Sequence, residues 1–194
     1  MDDRGNSRER WEEDATVCPI CGHEEYAEPC DHLLADFSTD LSDGDGGVLG
    51  EGWAESVLRT PARQLGRACR DLLLTVWKDD GGEDRSEARL AVLREMTTDD
   101  GPTWWNPIVD GIENNDDCSA DDPGLGDYAT PVVHEIVTDV PGVLASEAIL
   151  GGMTSSSVCF VWSQDRGAAT QALEARIAEA TSAVQRVLAR VADA

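Results

Sequence analysis

The sequence predicts an α+β fold, in which a small antiparallel sheet is covered by helices and an N-terminal zinc knuckle precedes the main domain. Three observations predict it. Two long segments have apolar residues at helical spacing, several short segments alternate or are rich in β-branched residues, and candidate metal ligands cluster near the start. With 194 residues the chain is long enough to bury a core.

The chain divides into three parts by composition. Residues 1–15 are charged and patternless, which predicts a disordered tail. Residues 16–50 contain the cysteine cluster and a first strand, and residues 51–194 form the α+β domain. Within that domain, residues 98–129 are rich in proline, glycine, asparagine and aspartate, so we expect a long irregular loop there.

The strands are predicted from short apolar runs bounded by turn residues. The first is expected at His32–Ser38. Pro131–Asp139 alternates like a strand, Pro141-Gly142 forms a turn, and Val143–Leu150 returns as the next strand. Ser156–Trp162 is apolar on both faces, which is typical of a central strand.

The first long helix is predicted within residues 53–78. Thr60 is interpreted as the N-cap, because Pro61 would then occupy the first helical position, and Gly81-Gly82 would end the segment. A stripe of Arg63, Arg67 and Arg70 lies beside the inward face. That face consists of Ala62, Leu65, Cys69, Leu72, Leu73 and Val76.

Two further helices follow from the same periodicity. The shorter spans about Ser86 to Met96, with Leu90, Leu93 and Met96 inward. The longer spans about Asp165 to Val191 and has a narrow apolar row, which is either core or the seam of a homodimer. The row consists of Leu173, Ile177, Ala180, Val184, Val187 and Val191.

The strongest chemical signal is a C-x2-C pair, Cys18 and Cys21, followed after eight residues by the C-x-H pair Cys30 and His32. The C-x2-C turn brings two sulfurs to one point, and three cysteines with one histidine form a closed structural zinc site. His32 is favoured as the fourth ligand, because alternation in an extended segment places it on the same side as Cys30. His23 is the alternative.

These residues resemble the opening of a set of prokaryotic proteins with a CPxCG…C-x-H-L-L-A motif. The likeness covers residues 18–50, where CPICG is followed by CDHLLAD and the glycine-rich GDGG. A looser likeness covers the segment Ser155 to Asp165. The resemblance implies a structural metal site at Cys18, Cys21, Cys30 and His32, and it implies no activity.

The charge is strongly negative, with 39 acidic and 15 basic residues and a net charge of −24. Such acidity with a single lysine fits a halophilic source, whereas the preference for arginine over lysine also follows from GC-rich coding. Net charge speaks to solubility rather than to fold. Lys78 is the single lysine and lies outside any P-loop motif. No apolar run is long enough to span a bilayer and the start lacks a signal peptide, so we expect a cytoplasmic protein without membrane contact.

Three functions are consistent with these features. We favour a protein-interaction or regulatory module with a structural zinc site and no catalytic residues; its acidic surface suits a basic partner. The first alternative is an enzyme with an acid/base site at His134 and Glu135, where Trp104 and Trp105 would wall a pocket. The second is nucleic-acid binding through Arg63, Arg67 and Arg70. We expect no nucleic-acid partner, because Trp11–Leu58 contains thirteen acids and no lysine or arginine.

Weak calcium binding is a further option for two aspartate clusters, Asp43 with Asp45 and Asp116–Asp122. Neither has a full twelve-residue calcium loop, so solvated turns are the preferred interpretation.

Overall fold

The computed structural model describes residues 17–23, 30–38, 56–78, 83–95, 102–113, 132, 134–150 and 156–194. Its elements, in chain order, are β1 (Leu33–Ser38), α1 (Ser56–Val76), α2 (Glu83–Arg94), α3 (Trp105–Glu113), β2 (Val143–Leu150), β3 (Ser156–Ser163) and α4 (Arg166–Asp193). A short helical segment at residues 134–138 precedes β2. The predicted α+β class is confirmed.

The sheet has three antiparallel strands in the order β1-β3-β2. The central position of β3 confirms the prediction from its two apolar faces. Leu33 lies opposite Trp162 and Ala35 opposite Val161, and a bulge between Leu33 and Ala35 inserts Leu34 as an extra residue. The bulge changes which face the following residues point to, so Leu33 faces one side of the sheet while Leu34 and Ala35 face the other.

Helices α1 and α4 cover the face of the sheet that contains Ala35 and Val161. Their N-terminal halves pack there through Leu58, Ala62, Ala169 and Leu173, which together with Leu34, Ala35, Val137, Val140, Val143 and Val161 form the sheet cluster. The shared placement of the two N-terminal halves means that α1 and α4 run side by side in the same direction.

The C-terminal halves of α1 and α4 pack with α2, α3 and the segment around residue 134 in a second, larger group, here called the helical cluster. It consists of Leu65, Ala68, Leu72, Leu73, Val76, Leu90, Leu93, Trp104, Trp105, Ile108, Val109, Ile112, Val132, Ile136, Ile177, Ala180, Val184, Val187 and Val191. The apolar row of α4 is buried throughout its length within the one chain. The row is therefore part of the core of the chain.

The prediction that Thr60 caps the first helix is wrong. The helix begins at Ser56, and Pro61 lies inside it. Proline at that position removes one backbone hydrogen bond near the helix start. The full burial of Leu58 and Ala62 on either side of Pro61 offsets this loss, because the additional N-terminal turn brings Leu58 against the sheet.

The strand predicted at Pro131–Asp139 is also wrong, since residues 134–138 are helical. Val132, Ile136, Val137 and Val140 are all buried, and their spacing of four, one and three residues is that of a helix. The same residues also alternate in the way that predicted a strand. The helical conformation is adopted because it places the four apolar residues in contact with two hydrophobic clusters. The Pro141-Gly142 turn is confirmed, and Gly142 has a φ of +76° that favours glycine.

The loop predicted at residues 98–129 contains a helix that the sequence reasoning missed. In α3, Trp105, Ile108, Val109 and Ile112 are buried at the spacing i, i+3, i+4, i+7. Pro107 lies in the first turn, where a missing amide hydrogen costs little. Residues 114–129 lie outside the described residues.

Several other predictions fall outside the described part of the chain. They are the tail at 1–15, the glycine pair at 81–82, Met96, and the aspartate clusters at 43–45 and 116–122. Among the described helices, none has a stretch sufficiently long and apolar to cross a membrane.

Candidate metal centre

The structure brings Cys18, Cys21, Cys30 and His32 together: their four ligand atoms all lie within 4.8 Å of one another. The Sγ atoms of Cys18 and Cys30 lie 3.9 Å and 4.0 Å from Nδ1 of His32. In a tetrahedral zinc site, with Zn–S about 2.3 Å and Zn–N about 2.0 Å, neighbouring sulfur and nitrogen ligands are about 3.6 Å apart. These two sulfur–nitrogen distances therefore need to close by only a few tenths of an ångström to bind such an ion.

A tight turn places the first two sulfurs. The amide of Gly22 donates to the carbonyl of Cys18 at 2.8 Å, and the amide of Cys18 donates to the carbonyl of His23 at 2.8 Å. Gly22 has a φ of +73°, a backbone conformation that side chains with a Cβ rarely adopt. The C-P-x-C-G sequence therefore encodes the turn directly.

A second turn places the other two ligands. The amide of Leu33 donates to the carbonyl of Cys30 at 3.1 Å, so residues 30–33 bend rather than continue the strand. The amide of Ser163, at the end of β3, donates to the carbonyl of His32 at 2.9 Å. His32 lies beside Cys30 because of this bend and not because of strand alternation, which was the reason used from the sequence.

The structure brings His32, and not His23, into the group of four. His23 is exposed and contributes its carbonyl to the first turn. His32 is half-buried, and its Nδ1 atom faces the sulfurs of Cys18 and Cys30.

The two turns, residues 17–23 and 30–32, are here called the knuckle, and they pack on the face of the sheet opposite α1 and α4. Cys18, only 1% exposed, packs with Leu33, Phe160 and Trp162 in the knuckle cluster. The rings of Phe160 and Trp162 are stacked, with centroids 5.8 Å apart and planes 15° apart. Ile20 and Cys30 are partly buried against the same cluster, whereas Cys21 is exposed on the outer side.

The environment of Cys18 favours its thiolate. Burial alone would raise the pKa of the Cys18 thiol, but backbone N–H groups of Cys21 and Ile20 and the neighbouring thiols of Cys30 and Cys21 outweigh it, so the pKa lies below its usual value. Amide hydrogens that point at a buried sulfur are what a metal-bound thiolate requires.

The junction between β3 and α4 supports the knuckle from the side. The Arg166 guanidinium donates from Nη1 to the carbonyl of Asp31, between two of the ligands, at 3.2 Å. Asp165 caps α4 by accepting a hydrogen bond from the amide of Ala168 at 3.1 Å, which fixes the helix start that presents Arg166.

Sequence reasoning missed this supporting set. Arg166 has no motif that could have identified it. Phe160 and Trp162 lie in the segment Ser155–Asp165 that showed the looser resemblance, which was the available signal.

The residues of the alternative enzyme site do not form a comparable group. Trp104 and Trp105 belong to the helical cluster, with ring centroids 5.7 Å apart in an edge-to-face arrangement, so they are core residues. His134 is half-buried on the helical segment before β2. Within the described residues, the knuckle ligands form the one group with metal-binding geometry.

The arginine stripe of α1 lies beside the buried face of that helix. Arg63 and Arg67 are exposed and Arg70 is half-buried. None of the three forms an ion pair with another described residue. Elsewhere, Arg94 pairs with Glu113 at 2.6 Å and Arg190 with Glu95 at 2.8 Å.

No protein-family model, curated protein or solved structure matches the chain. The interpretation of the site therefore depends on its own geometry and chemistry.

Proposed function

We propose that Cys18, Cys21, Cys30 and His32 bind one zinc ion in a closed structural site. The observation that carries the proposal is the convergence of three sulfurs and one imidazole nitrogen within 4.8 Å. This ligand set suits zinc, and four protein ligands leave no open position for a substrate or an activated water. The metal's role is accordingly to hold the fold.

The proposed role follows from the small size of the knuckle cluster. Among the described residues, four buried ones support the knuckle against the sheet. So little apolar burial is insufficient to order two turns that are separated in sequence, and a structural metal supplies the missing free energy. The ion would thus fix the knuckle against Phe160 and Trp162 and, through the His32–Ser163 hydrogen bond, the start of β1 against β3.

We further propose that the protein acts as an interaction or regulatory module through the sheet face that bears the knuckle. Leu144 of β2 lies directly opposite Trp162 and is 46% exposed, the large hydrophobic side chain most open to solvent among the described residues. We expect the partner to present an apolar side chain surrounded by basic groups. The apolar side chain would pack on Leu144, and the basic groups would complement the net charge of −24.

Metal analysis tests the site. Protein purified without chelators should contain about one zinc per chain by the closed-site argument. Cys30→Ser and His32→Ala should lose the metal, whereas the matched control His23→Ala should keep it. Metal kept in His32→Ala but lost in His23→Ala would assign the fourth ligand to His23, and a metal-free wild type would contradict the proposal.

A binding comparison tests the interaction role. Immobilised wild-type protein, the metal-free Cys30→Ser variant and Leu144→Asp are exposed to extract from the source cells. A protein retained by the wild type and lost from both variants supports an interaction at this face. Equal retention by all three would contradict it.

A further inference from the structure

The four candidate ligands differ in their contact with solvent. Cys18 is 1% exposed within the knuckle cluster, and Cys30 and His32 are half-buried, but Cys21 is exposed. Cys18 is therefore shielded by protein and Cys30 and His32 are partly shielded, so that Cys21 is the most accessible of the four residues to a dissolved reagent.

The exposed sulfur lies next to a second one in suitable geometry. The turn that is closed by the Gly22–Cys18 hydrogen bond keeps Cys18 and Cys21 three residues apart on one bend, with sulfurs within 4.8 Å. The ends of such a turn have Cα atoms less than about 7 Å apart, which is compatible with the span of a disulfide. An accessible cysteine with an adjacent resolving cysteine is the arrangement of a thiol redox sensor.

We propose that Cys21 is an oxidation site for peroxides, and that its oxidation joins it to Cys18 and releases the metal. This inference rests on the proposed function, because it assigns a regulation to the same zinc site. Zinc itself has no redox chemistry, so the electrons come from the two cysteines.

The step balances with hydrogen peroxide as the oxidant. The Cys21 thiolate attacks one peroxide oxygen, the O–O bond breaks, an S–O bond forms and hydroxide leaves. The Cys18 thiolate then attacks the sulfur of Cys21, the S–S bond forms, the S–O bond breaks and a second hydroxide leaves. Two thiolates have lost two electrons, and the peroxide has become two hydroxide ions, which are protonated to water.

The consequence is structural. Only Cys30 and His32 would remain as ligands, too few for a closed tetrahedral site. Since Cys18 is also a member of the knuckle cluster with Phe160 and Trp162, oxidation would loosen the knuckle from the sheet. Reduction by a dithiol would restore both sulfurs and allow the metal to bind again.

The test compares two variants that keep four ligands. In Cys21→His and Cys30→His one sulfur ligand is replaced by an imidazole, so that each retains a Cys2His2 set able to bind zinc. Zinc-loaded wild type and both variants are treated with hydrogen peroxide, and released zinc is followed with a chromogenic chelator. We expect release from the wild type and from Cys30→His, and release at the peroxide-free rate from Cys21→His.

Peptide mass mapping of the oxidised wild type gives an independent readout. The peptide that contains Cys18 and Cys21 should be lighter by two hydrogen atoms and should regain them with dithiothreitol. A link to Cys30, equal protection in both histidine variants, or zinc that stays bound under peroxide would overturn the inference. Metal content is measured before peroxide is added, so a chain that never binds zinc contradicts the proposed function instead, and the mapping still decides which sulfurs join.

Discussion

The helical cluster and the knuckle cluster stabilise their regions in different ways. The helical cluster buries nineteen residues drawn from four helices and the segment around residue 134, including two tryptophans. The knuckle cluster buries four, of which one is itself a candidate ligand. The first region has enough apolar burial to order its own backbone, whereas we propose that the second depends on a metal as well. A change at either region should therefore have consequences of different size and extent.

The largest expected effect is the loss of the helical region. Val184→Asp would bury an unpaired carboxylate in the middle of the helical cluster, where the side chain is fully buried. We expect a loss of more than about 3 kcal/mol in the free energy of unfolding and a collapse of the thermal melt.

The matched control for this change is the exposed neighbour Gln185, where Gln185→Asp should leave the melt close to that of the wild type. Light scattering tests the alternative that the apolar row of α4 forms a dimer interface. A soluble, folded Val184→Asp monomer from a dimeric wild type would show that the α4 row is an interface after all.

The second effect should be confined to the front of the molecule. Cys30→Ser removes one ligand, so we expect faster amide hydrogen exchange at Leu33 and Ser163, whose amides hold the knuckle and β1 in place. The helical signal in circular dichroism should be nearly unchanged. Simultaneous loss of helix and knuckle would show that the two regions unfold as one unit.

Local sequence signals predicted those parts of the fold that depend on one segment alone. The α4 row, the apolar β3 strand and the C-x2-C-G turn each contain their own pattern. Pro131–Asp139 fits two periodicities at once, and contacts with distant residues decide between them. In α3, the abundant turn residues around the helix concealed four apolar positions at helical spacing.

The grouping of the four candidate ligands was predictable, but the contacts that support it were not. Cysteine spacing identifies candidate ligands because the chemistry requires neighbouring sulfurs. The hydrogen bond from Arg166 to Asp31 joins residues 135 positions apart, so no local pattern could reveal it. The bulge that turns Leu33 toward the knuckle likewise depends on the pairing of β1 with β3.

A third effect, confined to alkaline pH, concerns Cys69, which packs against the helical cluster. Burial raises the pKa of its thiol to about 12 from an ordinary value of 9.0. Between pH 9 and pH 12 the unfolded chain loses this proton before the folded chain does, so stability falls with rising pH, by at most about 1.4 kcal/mol per pH unit.

Chemical denaturation of wild type and Cys69→Ala across this pH window measures the effect, because other titrating groups are common to both proteins. The difference in stability between the two should shrink as the pH rises. A difference that is independent of pH would mean that the Cys69 thiol is accessible to water, and that the helical region is less tightly packed there than its other residues.

A fourth effect, on stability and zinc affinity, should appear where the start of α4 contacts the knuckle. Arg166→Ala removes the guanidinium bond to the carbonyl of Asp31. We expect the free energy of unfolding to fall by about 1 kcal/mol, which is typical of one partly exposed hydrogen bond, and the zinc affinity to weaken modestly. Arg176→Ala, which removes an exposed ion pair with Glu179 on the same helix, is the control and should leave zinc affinity unchanged. Equal zinc affinity in both variants would show that Arg166 does not support the knuckle and that the sheet alone does so.

The smallest effect concerns charge, in which the two regions also differ. The segment Trp11–Leu58 that contains the knuckle has thirteen acids and no lysine or arginine, whereas α1 contains four arginines and the single acid Asp71. A nucleic acid would be repelled by the first region and by the net charge of −24, so we expect no mobility shift with DNA or RNA at moderate salt. The arginines of α1 are the candidates for contacts with phosphate groups, because Arg63, Arg67 and Arg70 form no ion pair with other described residues. The test replaces these three arginines by glutamine and, as a control, Arg176, Arg186 and Arg190 of α4. Nucleic-acid binding that weakens steeply with salt, and that is lost in the first variant but not in the control, would contradict the expectation. It would show that the positive charge of α1 overcomes the repulsion from the rest of the chain.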